Sequence, residues 1–546
     1  MFKNVYVVLL SFLPLLSILG NEADYSNFYV LIVYNSILAG LGIIGQWLNK
    51  DTISISSPEV CMAFLCVISL SSALIKEYPV SHFIYYGIMS STLLVMVSKN
   101  YVRERLPLLK KSLICVTLLI NIVILVAILF DGNIMILHVG NSGILAIFIS
   151  ISVCTLLKIT FSENCNKIMV KVGCTLLIAV DVIYIYMLES RTAFIVISIF
   201  LLVCSSYNKR YLRYGLLGVI VIVFAFAIIG NESKSQSFVG RSFILRNCFS
   251  LFADNPLVGT GGIGSFGVKY SIKQAQYFTT HTEMDDYFLV ADNVIVACNE
   301  FVQLLCEVGI IGLGIVVFMI YYAIKHIKDG YFRNVLLFSV LISALFYYIL
   351  HAALFCALGV ICIIVASAYS PVLLKISFSR FNSLLLSALC IAGLVYSADH
   401  LRVSNSVRKC IDRRLLSDKQ KIYIVDNFRE NKIFLASLST FDNSDGLNDK
   451  LDKLVVHSDI LFHQGQMLRR NKRYELAERK LQLASYICPN RFRYKYELFK
   501  IYKETNNMRK ANEIADHISR MPVKINSPTI FAIKKDIDNF LHYSCK

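Results

Sequence analysis

Three arginines, a run of glycines and one carboxylate beside an asparagine are the residues of this chain best suited to chemistry, and they gather in and around a polar island running from Asn231 to Glu300. Arg191 ends an earlier apolar run in Ser190-Arg-Thr-Ala193, while Arg241 and Arg246 open the island in Gly240-Arg241-Ser-Phe-Ile-Leu-Arg246. Arginine at a membrane edge is costly, so three on one face point to an anionic ligand, and a diphosphate suits them. The plainer reading is that each marks the interfacial end of a span or pairs with an acid of the loop. Gly259, Gly261, Gly262, Gly264 and Gly267 lie in or just after Asn255-Pro-Leu-Val-Gly-Thr-Gly-Gly-Ile-Gly-Ser-Phe266. Glycines let backbone N–H groups approach a phosphate closely, and they serve a flexible re-entrant loop equally well. The spacing is neither a P-loop nor a dinucleotide fingerprint.

For acid–base work the island and its flanks offer His281, Glu283, Asp285, Asp286, Asp292, Glu300, Glu307 and His351. Glu300 stands out because it follows Asn299 where the island re-enters an apolar run. Desolvation there raises a carboxylate toward the range of a general base, whereas the plain alternative is a carboxylate favoured at a helix N-terminus. His281, among Thr279, Thr280 and Thr282, is a second catalytic candidate or a solvated loop histidine. His351, near a span end, reads first as a packing residue.

The elements that must position these groups are membrane helices. Hydrophobic residues make up 56% of the 546, mean hydropathy is +0.60, and one long apolar run follows another. The runs are continuous rather than alternating, which excludes a transmembrane barrel and gives an all-α polytopic membrane protein. Thirteen transmembrane helices are expected, at about 4–20, 28–48, 58–76, 80–98, 111–130, 136–158, 169–188, 192–207, 213–230, 304–324, 333–350, 352–370 and 382–398, from a window of about 20 residues. The pair at 333–370 also reads as one re-entrant unit. Met1 to Gly20 reads as the first span, with a cleaved signal peptide as the alternative.

Basic residues test this count. Lys99, Arg103, Arg105, Lys110 and Lys111 share one loop, and the clusters at Lys158 to Lys171, Lys209 to Arg213, Lys325 to Arg333 and Lys375 to Arg380 fall on the same side. That side is cytoplasmic by the positive-inside rule. Asn21 to Asp24, Arg191, a large extracytoplasmic loop at 231–303 and everything beyond 399 then lie outside. The net charge of +17 is therefore largely topological rather than a nucleic-acid footprint. The sixteen cysteines are scattered singly, mostly inside apolar runs, with no metal-ligand spacing.

A multi-span domain over 1–398 is thus followed by a soluble one over 399–546. From Asp399 onward there are 29 Lys and Arg against 18 Asp and Glu, a surplus of 11. Leu461, Gly465, Leu468, Ala477, Leu481, Ala484 and Pro489 fit a 34-residue helix–turn–helix repeat. Tyr502 and Ala511 repeat Leu468 and Ala477 at that distance. The segment resembles tetratricopeptide repeats, with Asp412 to Lys453 expected to add a degenerate helical pair. Such a stack would bind a partner protein, anionic lipid or glycan, or would simply be a solvated cap.

Taken in order, Asn141-Ser-Gly143, Ser190-Arg-Thr-Ala193, Arg241 with Arg246, Asn255 to Phe266, and Asn299-Glu-Phe-Val-Gln303 with Glu307-Val-Gly-Ile-Ile-Gly312 resemble the O-antigen ligase and polymerase superfamily, which includes bacterial protein O-oligosaccharyltransferases. The resemblance spans roughly residues 30 to 370. It implies a glycosyltransferase of the bacterial inner membrane, free of metal or cofactor. Such an enzyme moves a glycan from an undecaprenyl diphosphate carrier to an acceptor on the outer face: lipid A core, another carrier-linked glycan or a protein hydroxyl. By the same resemblance Arg191, Arg241 and Arg246 would hold the diphosphate, and Glu300 or a histidine would orient or deprotonate the acceptor. Many members carry a histidine where this chain has Cys298, so either Glu300 or His281 serves as the base instead, or acceptor activation matters less than stabilising the leaving group. The competing classes are a transporter or flippase for the same lipids, which should show midplane charges and inverted repeats, and a scaffold acting through its repeats.

Overall fold

The structure, a computed structural model, describes residues 1–18, 26–49, 52–79, 81–131, 142–161, 168–207, 233–281, 285–377, 380–412, 416–429, 431–441 and 444–544. The chain forms two compact units. The first comprises Met1–Ser71, Val80–Asn231 and Cys298–Ser406, and the second Ser72–Pro79, Glu232–Ala297 and Val407–Lys546.

The first unit is a bundle of apolar helices. Among the described residues seven helices are long and apolar enough to cross a membrane: Ser26–Leu48, Ser57–Ile75, His82–Ala127, Ser142–Thr160, Ile168–Met187, Glu300–His326 and Phe381–Ile411. Four shorter apolar helices accompany them, Phe2–Ser11, Arg191–Val203, Tyr331–Phe346 and Ala353–Tyr369. The expected span at 213–230 and the Asn141 end of its motif fall outside the described residues. The spans expected at 80–98 and 111–130 lie on two helical segments, one on each side of a kink within His82–Asp131. The kink falls at Arg105, whose φ of −126° leaves the helical range, two residues before Pro107. Proline supplies no N–H and its ring clashes with the carbonyl four residues back, so the bend has a local cause.

The core of this unit is made of Val, Ile, Leu and aromatic side chains such as Tyr6, Phe148, Phe332 and Phe355, all essentially inaccessible. The ionisable groups buried among them are paired, as a low dielectric demands. Lys99 donates to Glu59 at 2.6 Å and to Ser56 at 2.9 Å, and Asn121 donates to both oxygens of Asp181 at 3.0 and 3.1 Å. One departure from the all-α expectation is a two-stranded antiparallel ribbon, Thr52–Ser56 against Val372–Ser377, with Thr52 opposite Ser377 and an irregularity at Ile55/Ser56. The alternation of Ile and hydroxyl residues in Thr-Ile-Ser-Ile-Ser has a strand period, masked at sequence level by the helices on either side.

In the second unit the island is helical where a loop was expected. Ser233–Asp254 and Phe266–Thr280 form helices, joined by the glycine turn. They pack with the C-terminal segment, whose helices Ser458–Arg470 and Tyr474–Ile487 are followed by Phe492–Glu504 and Met508–Arg520, each starting 34 residues after its counterpart, and then by Pro528–Ser544. Gly465 is required where it stands, since a Cβ there would lie 2.6 Å from Leu481 Cγ. Ala275 and Phe288 of the island share the core formed by Leu461, Ala477, Leu481 and Leu498. Gln274 Nε2 donates to the Ile487 carbonyl at 2.6 Å, and Asn490 Nδ2 to the carbonyls of Leu289 and Ala291. Where a helical pair was expected over 412–453, the described residues form three short helices, Asp418–Asn427, Lys432–Leu438 and Asp445–Leu454. Ser417 and Asn431 cap the first two, and such caps divide the run.

Candidate active site

Asn299 starts the site in the first unit. Its extended backbone precedes the Glu300–His326 helix, and its side-chain oxygen accepts from the amides of Phe301 and Val302 at 2.9 and 3.1 Å. Its Nδ2 donates to the Leu345 carbonyl at 2.8 Å, tying the helix start to the last turn of the Phe338–Phe346 helix. Gly309, at φ +68°, interrupts the helix after nine residues, a conformation suited to glycine. Within those first turns Glu300, Gln303 and Glu307 stand at i, i+3 and i+7, which puts them on one face. All three are buried.

His351 meets that face. Glu300 Oε1 accepts the Leu350 amide at 2.6 Å and lies 3.4 Å from His351 Nδ1, while Gln303 Nε2 is 3.1 Å from His351 Nε2 and 3.4 Å from Glu307 Oε1. An amide nitrogen only donates, so His351 Nε2 accepts and the ring proton sits on Nδ1, facing the carboxylate. The ring is held as a carboxylate-oriented imidazole. The His351 side chain is 33% exposed against 9% for Glu300, so the imidazole is the member a substrate can reach. Cys356 Sγ donates to the Leu350 carbonyl at 3.0 Å and steadies the same turn. Sequence reasoning gave His351 a packing role. The 51 residues separating it from Glu300 hid the contact. Arg191 is the first residue of its helix in this unit, half-buried, with Glu189 in a left-handed conformation just before it.

The second unit holds the other expected residues. Arg241 and Arg246 are both exposed on the Ser233–Asp254 helix. Five residues apart on a helix, they point about 140° from each other. Arg246 lies over the rings of Tyr277 and Tyr287, 5.1 and 5.8 Å from their centroids. His281 stacks on Tyr277 at 4.0 Å as the C-terminal cap of the Phe266–Thr280 helix, with Nδ1 3.0 Å from both the Tyr277 carbonyl and Thr280 Oγ1. The structure thus brings Arg246 and His281 to one tyrosine. Asp285 accepts the Tyr277 hydroxyl at 2.6 Å, and burial together with this carboxylate pushes the phenol up to about 12, leaving it a proton donor. Asp285 also accepts the amides of Tyr287 and Phe288, and Asp292 is 3.4 Å from Arg491, so both acids have structural partners. Glu283 lies outside the described residues.

Gly259, Gly261, Gly262 and Gly264 have φ of +74°, +146°, +80° and +96°. A Cβ on Gly261 would lie 2.8 Å from Tyr78 Cβ. The turn is fastened by Ser72 Oγ accepting the Gly262 amide at 3.1 Å and by the Tyr78 hydroxyl donating to the Gly264 carbonyl at 3.2 Å. Among the described residues no group of three or more His, Cys, Asp or Glu has the arrangement to hold a metal. No curated protein matches the chain. Residues 174–317, which carry Arg191, Arg241, Arg246, the glycine turn, His281, Asn299 and Glu300, match the family model described as O-antigen ligase.

Proposed function

We propose that the protein transfers a glycan from an undecaprenyl diphosphate carrier to an acceptor hydroxyl on the outer face of the bacterial inner membrane. Glycan transfer of the O-antigen ligase or polymerase type is supported by the family match over 174–317, which is the observation that carries the reading. The carrier, the acceptor class and the orientation rest on the motifs and on the distribution of basic residues. In this reading 1–398 is the membrane domain with its catalytic segment at 231–303, and 399–546 is a periplasmic, tetratricopeptide-like domain that recruits an acceptor or a partner protein.

The acceptor oxygen forms a bond to the anomeric carbon as the bond from that carbon to the diphosphate oxygen breaks, and the carrier diphosphate departs with the electron pair. The acceptor proton passes to His351 Nε2 once the Gln303 donor moves aside, and Glu300 stabilises the imidazolium through Nδ1, the division of labour of a carboxylate–histidine pair. Arg191, Arg241 and Arg246 neutralise the charge that develops on the diphosphate. Asn299 fixes the start of the helix, and Gly259, Gly261 and Gly262 shape the turn. His281 is the alternative base in the second unit.

Deleting the gene and following carrier-linked glycan tests the reading. Accumulation of undecaprenyl diphosphate–glycan with loss of one product class is expected, and the lost product names the acceptor. Equally expressed Arg191→Ala, Arg241→Ala and Glu300→Ala copies should fail to restore consumption. Restoration by all three would instead favour a transporter or a scaffold.

A further inference from the structure

Glu307 takes no part in the proton transfer from the acceptor to His351, yet it is a carboxylate only 3% exposed, one helical turn beyond Gln303, which is 5% exposed. A carboxylate in such a place is costly, so what it holds there matters. It faces the Gln303 amide, whose Nε2 lies 3.4 Å from Glu307 Oε1 and 3.1 Å from His351 Nε2. An amide nitrogen carries two hydrogens, one for each contact. Glu307 thereby settles which end of the amide meets the ring. Reversed, the amide would set its oxygen against the carboxylate, acceptor to acceptor in a buried site, and that repulsion keeps the nitrogen turned toward His351.

The consequence falls on the imidazole. The His351 side chain is 33% exposed, which leaves the ring accessible, but the Nε2 lone pair that a proton would join is occupied by the Gln303 donor. In the empty site the base is masked. Unmasking it costs one hydrogen bond, roughly three- to tenfold in the population of the open arrangement. An acceptor held by many contacts offsets that cost with binding energy remote from its hydroxyl. A water molecule has no remote contacts and bears the cost in full.

We propose that Gln303, oriented by Glu307, is a latch over His351 Nε2 that selects the acceptor hydroxyl against water. The selection against water rests on the transferase reading above; the masking of the ring does not. In the hydrolysis that the latch suppresses, a water oxygen bonds to the anomeric carbon as the bond from that carbon to the diphosphate oxygen breaks. The carrier diphosphate leaves with the electron pair, a proton of the water passes to His351 Nε2, and the glycan is released free. In transfer the acceptor hydroxyl displaces the amide and occupies the place that water would take. Gln303 and Glu307 are positioning residues in both cases, acting through His351.

The test uses the full chain in lipid nanodiscs and two readouts. Diethyl pyrocarbonate acylates an unprotonated imidazole nitrogen, so its rate at His351, followed by mass spectrometry of the peptide, reports the masking with no glycan present. The exposed His463 of the C-terminal segment is the internal reference. Gln303→Met, close in shape and without a donor, should speed acylation of His351 roughly three- to tenfold, and Glu307→Gln, which frees the amide to reverse, about twofold. His463 should react alike in all three proteins. Hydrolysis is read as free glycan released from undecaprenyl diphosphate–glycan extracted from the deletion strain, with no acceptor added, and should rise in each variant by the same factor as acylation. Unfolding temperatures identify a variant that has lost its fold, and the nearly isosteric Glu307→Gln keeps the test decisive if Gln303→Met does not fold. Folded variants whose His351 acylates at the wild-type rate overturn the latch. Faster acylation with unchanged hydrolysis, in a protein that transfers glycan, overturns the selection against water. Faster acylation in a protein that consumes no carrier-linked glycan leaves the masking standing and removes the transferase.

Discussion

Replacing Glu300 by glutamine separates two things this carboxylate does. Glutamine keeps an oxygen able to accept the Leu350 amide, now at 2.6 Å, so the turn before His351 should survive. What is lost is charge: a charge-assisted bond becomes a neutral one, and a helix N-terminus loses a favourable anion. Together these cost about 1–2 kcal/mol of stability. The kinetic loss should be larger. Without a carboxylate 3.4 Å from Nδ1, the imidazolium formed on taking the acceptor proton has no counter-charge. General acid–base catalysis contributes about 10²–10⁴-fold, or roughly 3–5 kcal/mol. In an assay with purified protein and carrier-linked glycan at saturating donor, kcat should therefore fall at least a hundredfold while the unfolding temperature drops by a few degrees. Glu300→Gln combined with His351→Gln should be no slower than the worse single variant, because paired residues act as a unit. Turnover within threefold of wild type in Glu300→Gln would refute the dyad, and a multiplicative double variant would show that the two residues act separately.

Other expectations concern stability and recognition. Lys495 is buried, donates to the Pro489 carbonyl at 2.6 Å, and is held by desolvation down to about 7. Between pH 7 and 9 the unfolded chain keeps this proton and the folded chain does not, so stability should rise by about 2 kcal/mol over that interval; Lys495→Met should abolish this increment in chemical denaturation. Gly261→Ala, at φ +146° with Tyr78 Cβ 2.8 Å from the added carbon, should destabilise by about 1–3 kcal/mol, visible as a lower unfolding temperature. Glu59→Gln leaves Lys99 charged in a buried site, where the pair is 2.6 Å apart, and should cost about 3–5 kcal/mol, whereas the paired change Glu59→Gln with Lys99→Met should recover most of it. Arg246→Lys retains charge but not the planar contact with Tyr277 and Tyr287, so a binding defect as large as that of Arg246→Gln would assign the role to the stack rather than to the charge.

The apolar helices were legible in the sequence because hydropathy over twenty residues is a local property, and so was the helix start at Glu300, read as the alternative for that carboxylate, although the capping side chain is that of Asn299. What stayed hidden was non-local. His351 reaches Glu300 only through the turn between two short apolar helices, and nothing in a one-dimensional string distinguishes it from a packing histidine. Lys76 was read as the end of a span, although its ammonium donates to Asn255, 179 positions away. The island was taken for a loop because its glycines and charges dilute the apolar periodicity of the helices on either side of the turn. The strand ribbon escaped for a similar reason, since five residues are too few to outweigh the helices that enclose them.

The island and the C-terminal segment share one core, joined by Gln274, Asn293 and Asn490. This makes the natural unit of exchange discontinuous in the gene. A chimera that swaps only the stretch beyond 399 between relatives would set a foreign partner against Ala275 and Phe288, and loss of activity in it would report a mismatched seam rather than a changed preference for acceptor. Transplanting 232–297 together with 407–546 moves both sides of the seam, so specificity should travel with that pair of segments, and surveys of natural variation should find the two changing in concert.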